Sequence, residues 1–382
     1  MAWLMAVSLG LSLLAGVMTL INTPVLKRRR RAPAPDQPIR LSVCIPARDE
    51  EANIEAAVRS VLDQAVPEGV TLEVLIYDDE STDRTPEIVD ALVAADSRVR
   101  RAETAPMPAG WTGKQWACAR LAEAASGDWL LFVDADVRLQ DGGLERTIAE
   151  VAGRPELGLL SCFPRQITQT LGETVFVPMI HFILLSYLPM PRMRATRDPA
   201  TCAGCGQFLL IRRQAYVEAG GHAAVRDSMH DGVKIPRNVR RAGWMTDLFD
   251  GTHTASCRMY EGWGATWRGF RKNAYEGLGS PIVLGVFTVM HAIGHALPWM
   301  YVVWSAVTWT LHPVALPLAI AAVLTHLAHR TVIAAAFQQP WLVVILHPFG
   351  VAAMTAVQWA SFVDHLRGQR AWRGRTLETP AA

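Results

Sequence analysis

The stretch GDWLLFVDADVRL, residues 127–139, restricts the possible folds more than any other part of the chain. Leu130 to Val133 are apolar at every position, the composition of a strand buried on both faces, as in parallel sheets. The run ends on Asp134 and Asp136, with one alanine between them. Two carboxylates at the tip of a buried strand repel each other and resist desolvation unless a cation lies between them. Side chains alternate along extended backbone, so these two project the same way. So placed, they can jointly hold a hard divalent cation, Mg2+ or Mn2+, of the kind that also takes oxygens from a substrate diphosphate.

The neighbouring segments repeat the pattern. LSVCIPA (41–47) and LEVLIYDDE (72–80) read as strands, while EEANIEAAVRSVLDQ (50–64), RTPEIVDALVAA (84–95) and WACARLAEAAS (116–126) read as helices. Strands alternating with helices predict an α/β domain over 41–257 with a Rossmann-like, mostly parallel sheet. Ligands bind such sheets beyond the carboxyl ends of the strands. Both acidic clusters, Asp78-Asp79 and Asp134/Asp136, fall at strand ends.

The ends of the chain are different. Ala2 to Val25 is apolar and long enough to cross a bilayer. KRRRR (27–31) follows that run instead of preceding it, so residues 1–25 read as an uncleaved anchor with the basic block on the cytoplasmic side. A Pro-rich linker, 26–40, leads to the α/β domain. Residues 258–280 mix Trp and Phe with Arg and Lys, the composition of an interfacial amphipathic segment. Transmembrane helices are expected over 281–363, from apolar runs at 282–311, 314–337 and 341–363, before a basic tail, 364–382. The first run carries Gly294, His295 and Pro298 in its middle, which suggests a hairpin or re-entrant segment. Thr174–Met190, interrupted by Pro178 and His181, reads as lying in the membrane plane. The expected location is the cell membrane, multi-pass, with the catalytic domain cytoplasmic and the lipid bilayer as a partner.

A net charge of +2 gives no footprint for nucleic acid, and none is expected as a partner. The six cysteines include a single C-x-x-C pair, Cys202 and Cys205, and all six are expected to be free.

Several polar residues admit two readings. Asp78 and Asp79 can accept hydrogen bonds from a nucleobase imide or ribose, or belong to a capping series for the next helix in which Asp83 also takes part. Arg48, in PARDEE (46–51), can lie against a base or pyrophosphate, while Glu50 and Glu51 favour a helix start. Lys114, at a loop–helix junction, either meets a phosphate or is an ordinary surface lysine. His230 and His253 either touch metal or diphosphate or are ordinary solvated histidines.

Taken in order, IPARDEE, YDDESTD, GK, VDADV, CAGCGQFLLIRRQAY and HDGVKIPRNVRRAG resemble a family 2 glycosyltransferase of the GT-A fold. The apolar ends and CRMYEGW…WRGFRKN resemble the membrane-bound branch that includes bacterial carotenoid (diaponeurosporenoate-type) and hopanoid-associated glycosyltransferases. The resemblance implies that Asp79 reads uracil and that Pro46 and Arg48 lie beside the nucleotide. It makes Asp136 the direct metal ligand, Asp134 its partner near ribose and metal, and Asp231 the base that deprotonates the acceptor. His230-Asp231 stands where the family usually has Glu-Asp, which leaves the base in place but changes its neighbour. Processive synthases of the superfamily carry Q-x-x-R-W after the base; RMYEGW (258–263) lacks that order, which points to a single transfer instead of polymerisation. The expected activity is inverting, metal-dependent transfer from a nucleotide-sugar, UDP-linked, to a membrane lipid. The alternatives are a processive polysaccharide synthase and a non-catalytic nucleotide-sugar-binding subunit.

Overall fold

The computed structural model describes residues 1–29, 37–368, 371–372 and 375–376. Arg30 and Arg31 of the basic block, most of the Pro-rich linker and most of the basic tail lie outside the described residues. The chain divides into two compact units. A sheet unit comprises chiefly Leu26–Ile167 and Met190–Met259; a helical unit comprises Met1–Val25, Thr168–Pro189 and Tyr260–Arg370.

The sheet has eight strands: β1 Ile39–Ala47, β2 Val70–Asp78, β3 Val99–Arg101, β4 Trp129–Val133, β5 Val137–Leu139, β6 Leu157–Gln166, β7 Phe208–Arg212 and β8 Met245–Cys257. Their order is β3-β2-β1-β4-β7-β6-β8-β5. The pairs β1–β2, β2–β3, β1–β4 and β6–β8 are parallel; β4–β7, β6–β7 and β5–β8 are antiparallel. The sheet is therefore mixed, with parallel pairs in the majority, in an α/β fold of the GT-A kind. β7 supplies the antiparallel break in its centre.

All five residues of β4 are buried, as the apolar run 130–133 requires. Alternation then sorts the side chains onto two faces. Val43, Ile45, Val74, Ile76, Leu131 and Val133 pack on one face with Ile54 and Val58 of helix Ile54–Leu62. Cys44, Leu75, Tyr77, Leu130 and Phe132 pack on the other with Ala117, Cys118 and Leu121 of helix Gly113–Ala124. Each fully buried Leu, Ile or Val contributes about 1.5–3 kcal/mol, so these two layers fix the strand tips that follow them. Thr112 caps helix Gly113–Ala124, its side-chain oxygen accepting from the Gln115 N–H at 3.3 Å, which sets the direction of Lys114.

In the helical unit, Ala2–Lys27, Pro281–Thr308 and Ala315–Ala336 are long and apolar enough to cross a membrane. Pro281–Thr308 is one continuous helical run, not the hairpin or re-entrant segment that Gly294 and Pro298 suggested. A π turn, His291–Ala296, absorbs the irregularity, and Pro298 falls in the first turn of the α-helix that follows. The run 341–363 resolves into Leu342–Ile345 and His347–Leu366. Thr174–Met190 falls largely in two short helices, Leu171–Phe176 and Met179–Tyr187, with Phe176, Phe182 and Leu185 fully buried in the unit.

Candidate active site

β1, β2 and β4 run parallel, so the loops after Ala47, Asp78 and Val133 leave from the same edge of the sheet. The loops after β1 and β2 are bonded to each other. The Asp49 N–H donates to Ser81 Oγ at 2.9 Å, and the Thr82 N–H donates to Asp49 Oδ1 at 2.8 Å. Asp49 (φ 52°) and Glu80 (φ 54°) both adopt the left-handed conformation, unusual for residues other than glycine. Strain of this kind persists only where surroundings over-determine it, and it clusters at functional loops.

Within this pair of loops, Arg48 and Asp79 are brought together. Arg48 Nη1 donates to the Asp79 carbonyl at 2.6 Å and lies 3.3 Å from its Oδ2, and Asp79 is buried. Pro46 is one residue from the end of β1, opposite Tyr77. Asp78 is turned elsewhere: its carboxylate takes Arg101 at 3.1 Å and the Ser81 N–H at 3.3 Å. Asp83, one residue ahead of Arg84, the N-cap of helix Thr85–Ala95, accepts from the Thr85 N–H at 2.9 Å.

The second group is built around Lys114. Its Nζ lies 2.8 Å from Asp134 Oδ1 and 3.1 Å from Asp231 Oδ2, and donates to the Gly206 carbonyl at 3.2 Å. The lysine is thus no free surface residue. It supplies a cation to Asp134 and joins a third carboxylate, Asp231, to it. Asp231 opens helix Asp231–Arg241 and accepts from the Gly232 N–H at 2.7 Å. It rests directly on the Gly-rich loop: a Cβ on Gly206 would stand 2.1 Å from Asp231 Oδ1, and one on Gly232 would stand 2.6 Å from the Gly204 carbonyl.

The two aspartates of the triplet differ in state. Asp136 Oδ1 is buried with no hydrogen-bond partner. Burial, then the Asp134 and Glu50 charges, raise its carboxyl to about 7. An orphaned carboxylate oxygen with a raised pKa, beside a second carboxylate, is the donor chemistry that a hard divalent cation satisfies. Asp231 goes the other way. Burial opposes its ionisation, yet Lys114, through charge and hydrogen bond, and then His222 and His230, hold it below the usual carboxylate range. Lys114 is itself raised well above its ordinary value, because Asp134 and Asp231 outweigh its burial.

Three contributors were not singled out for this site in the sequence. Glu50 read only as a helix-start residue, but its charge acts on Asp136. Cys257, at the end of β8 opposite Val137, has a lowering influence on the Asp136 carboxyl that burial and charge outweigh. His222, buried between Phe132 and Tyr216 and held neutral by burial, has an electrostatic influence on Asp231. No local motif marks Cys257 or His222, because long-range pairing brings them in. His253 belongs elsewhere, lining a separate cavity of about 320 Å³ with Lys27, Arg28, Arg29 and Arg146. All six cysteines are free and buried.

Residues 42–220 match the Glycosyl transferase family 2 model. A 4,4'-diaponeurosporenoate glycosyltransferase of Staphylococcus haemolyticus is 27% identical over 285 residues, 72% of each chain. Its namesake from Staphylococcus aureus (strain MRSA252) is 27% identical over 250 residues, 63% of this chain and 62% of that one. Among solved structures, the mannosyltransferase PcManGT from Pyrobaculum calidifontis, in complex with GDP-Man and Mn2+, superposes with a TM-score of 0.58. It does so at 19% identity over 95% of this chain and 99% of that chain, a likeness of fold. Residues 42–220 thus match a family 2 glycosyltransferase domain on a GT-A-like fold, and these likenesses support a glycosyltransferase.

Proposed function

We propose that this glycosyltransferase moves a single sugar from a UDP-sugar to a membrane lipid, with inversion at the anomeric carbon and dependence on a divalent cation. The observation that carries the reading is the Lys114 bridge between Asp134 and Asp231 beside the orphaned Asp136 Oδ1. That arrangement sets a carboxylate base next to a cation-seeking pair.

Arg48 and Asp79, with Pro46 alongside, hold the nucleoside end of the donor, the buried carboxylate accepting from the base imide. Asp136 and Asp134 hold Mg2+ or Mn2+, which supplies charge stabilisation for the departing diphosphate. A diphosphate also competes with Asp134 and Asp231 for the Lys114 ammonium. As Lys114 turns to phosphate, Asp231 loses the partner that keeps it a weak base, and its proton affinity rises when it is needed. The acceptor oxygen then attacks the anomeric carbon, its proton passes to Asp231, and the carbon–oxygen bond to the diphosphate breaks with its electron pair. One displacement from the face opposite the leaving group inverts the centre. Asp78, committed to Arg101 and Ser81, shapes the donor loop.

Two observations support a lipid acceptor such as a carotenoid or hopanoid. Among the described residues, three helices are long and apolar enough to span a membrane, and relatives carry the name 4,4'-diaponeurosporenoate glycosyltransferase. We place the sheet unit on the cytoplasmic side of the cell membrane in this reading. The test compares lipid extracts from cells with and without the expressed chain, purified membranes being supplied with labelled UDP-, GDP- and dTDP-sugars. A labelled, organic-soluble product formed from a UDP-sugar is expected; label confined to soluble glycan overturns the lipid acceptor.

A further inference from the structure

The helical unit holds a second cluster, unrelated to the carboxylates. His295 lies in the π turn of Pro281–Thr308, His326 lies in Ala315–Ala336, and His347 begins His347–Leu366. All three are buried, with exposures of 1%, 0% and 1%. Polar rings buried among apolar spanning helices are costly and mark function by default.

From these positions we propose a transition-metal site, with Zn2+ as the first candidate, formed by His295, His326 and His347. One ring nitrogen from each lies within 4.8 Å of the others. His295 Nδ1 and His347 Nε2 are 3.1 Å apart, close to the ~3.3 Å between two imidazole nitrogens bound tetrahedrally at ~2.0 Å to one ion. The ring centroids are 4.8, 5.2 and 4.9 Å apart, against about 5 Å for three imidazoles sharing such an ion. A hydrogen bond joins His295 and His347. The other two separations fall within ordinary ring-packing distances and also match three rings turned toward one ion.

Outer partners of the kind that orient metal-bound histidines are also present. The Tyr187 hydroxyl lies 3.2 Å from His295 Nε2, and Ser12 Oγ lies 2.8 Å from His326 Nε2. Trp299 Nε1 donates to His326 Nδ1 at 3.0 Å, so the ion takes the place of one of these two contacts on His326. The π turn gives an independent pointer, since such turns occur in short pieces and frequently at functional sites. Three neutral imidazoles without a carboxylate suit Zn2+, Cu2+, Fe2+ or Ni2+ better than Mg2+ or Mn2+. Three protein ligands leave a fourth position. Arg330, buried and with Nε and Nη1 unpartnered, packs on the same Phe182 ring as His295 and His347, so an anion such as hydroxide balances the charge there.

The test uses the full chain purified in detergent, washed with a chelator that strips carboxylate-bound Mg2+ and Mn2+, then reloaded with Zn2+ or Co2+. We expect about one Zn2+ per chain by elemental analysis in the wild type, and the same in Asp136→Asn and in His312→Gln, a histidine outside the triad. The doubly substituted His326→Gln/His347→Gln protein is expected to lose at least about tenfold of that content. Co2+-loaded wild type is expected to show visible tetrahedral absorption bands, and its melting temperature to rise with the metal. The wild-type spectrum decides the matter even where the double variant fails to fold. Absence of the bands in folded wild type, or equal metal content in wild type and a folded triad variant, overturns the site.

Discussion

Lys114 and the three carboxylates around it set the ionisation of the site residue by residue. Lys114→Met removes the charge that holds Asp231 below the usual carboxylate range. Asp231 then keeps its proton to higher pH, so the acid limb of the kcat/KM profile moves upward, and turnover falls by about 10²-fold. A pH–rate profile on the purified variant measures both. Asp136 shifts in the opposite direction. The folded chain holds its proton up to about 7, whereas an exposed aspartate releases it near ~3.9. Across that window the folded state binds more protons than the unfolded state, so the metal-free protein loses stability as pH rises. Thermal melts in EDTA are expected to show that decline, with Mn2+ or Asp136→Asn abolishing it. Asp134, Asp136 and Asp231 were legible in the sequence as a strand-tip pair and a resemblance. Lys114 was singled out as a phosphate candidate, but its bridge between Asp134 and Asp231 was not, because a side-chain bridge between residues distant in the chain leaves no local pattern.

At the scale of elements, glycines and loop contacts set the geometry. A Cβ on Gly206 would fall 2.1 Å from Asp231 Oδ1, so Gly206→Ala displaces the carboxylate. Activity is expected to drop by more than about 10²-fold, for a stability cost of only about 1–3 kcal/mol, read from paired assays and denaturant melts. On the opposite edge of the sheet, Glu73 joins three segments. It accepts from Ser42 Oγ at 2.6 Å, from the Ser126 N–H at 2.7 Å and from Arg100 at 2.6 Å. Although burial opposes ionisation, these bonds depress its carboxyl to about 2. Its contribution is complete above the unfolded value and is lost as pH falls from about 4 toward 2. Glu73→Gln is expected to destabilise the sheet unit by about 1–3 kcal/mol, without altering KM for the donor. β1, β2 and β4 were legible because each is a long apolar run closed by a charged tip. β3 and β5, of three residues each, carry too little pattern to be read. The mixed character of the sheet rests on β7 pairing antiparallel between β4 and β6, a long-range choice that periodicity does not encode.

For the whole molecule, the three long apolar helices predict that the full chain stays with membranes through alkaline carbonate washing and is released by detergent. Recovery in the carbonate supernatant would contradict that. The apolar runs were plain in the sequence, but the continuity of Pro281–Thr308 was not, because a π turn accommodates the Gly-His-Pro region that reads as a break. The proposed assignment of base and metal pair is tested most directly by turnover of UDP-sugar by the purified full chain with Mn2+, comparing wild type with Asp136→Asn and Asp231→Asn. Losses of about 10²–10⁴-fold are expected in both, with Asp231→Asn still binding donor. Wild-type turnover in both variants would contradict the assignment of base and metal pair.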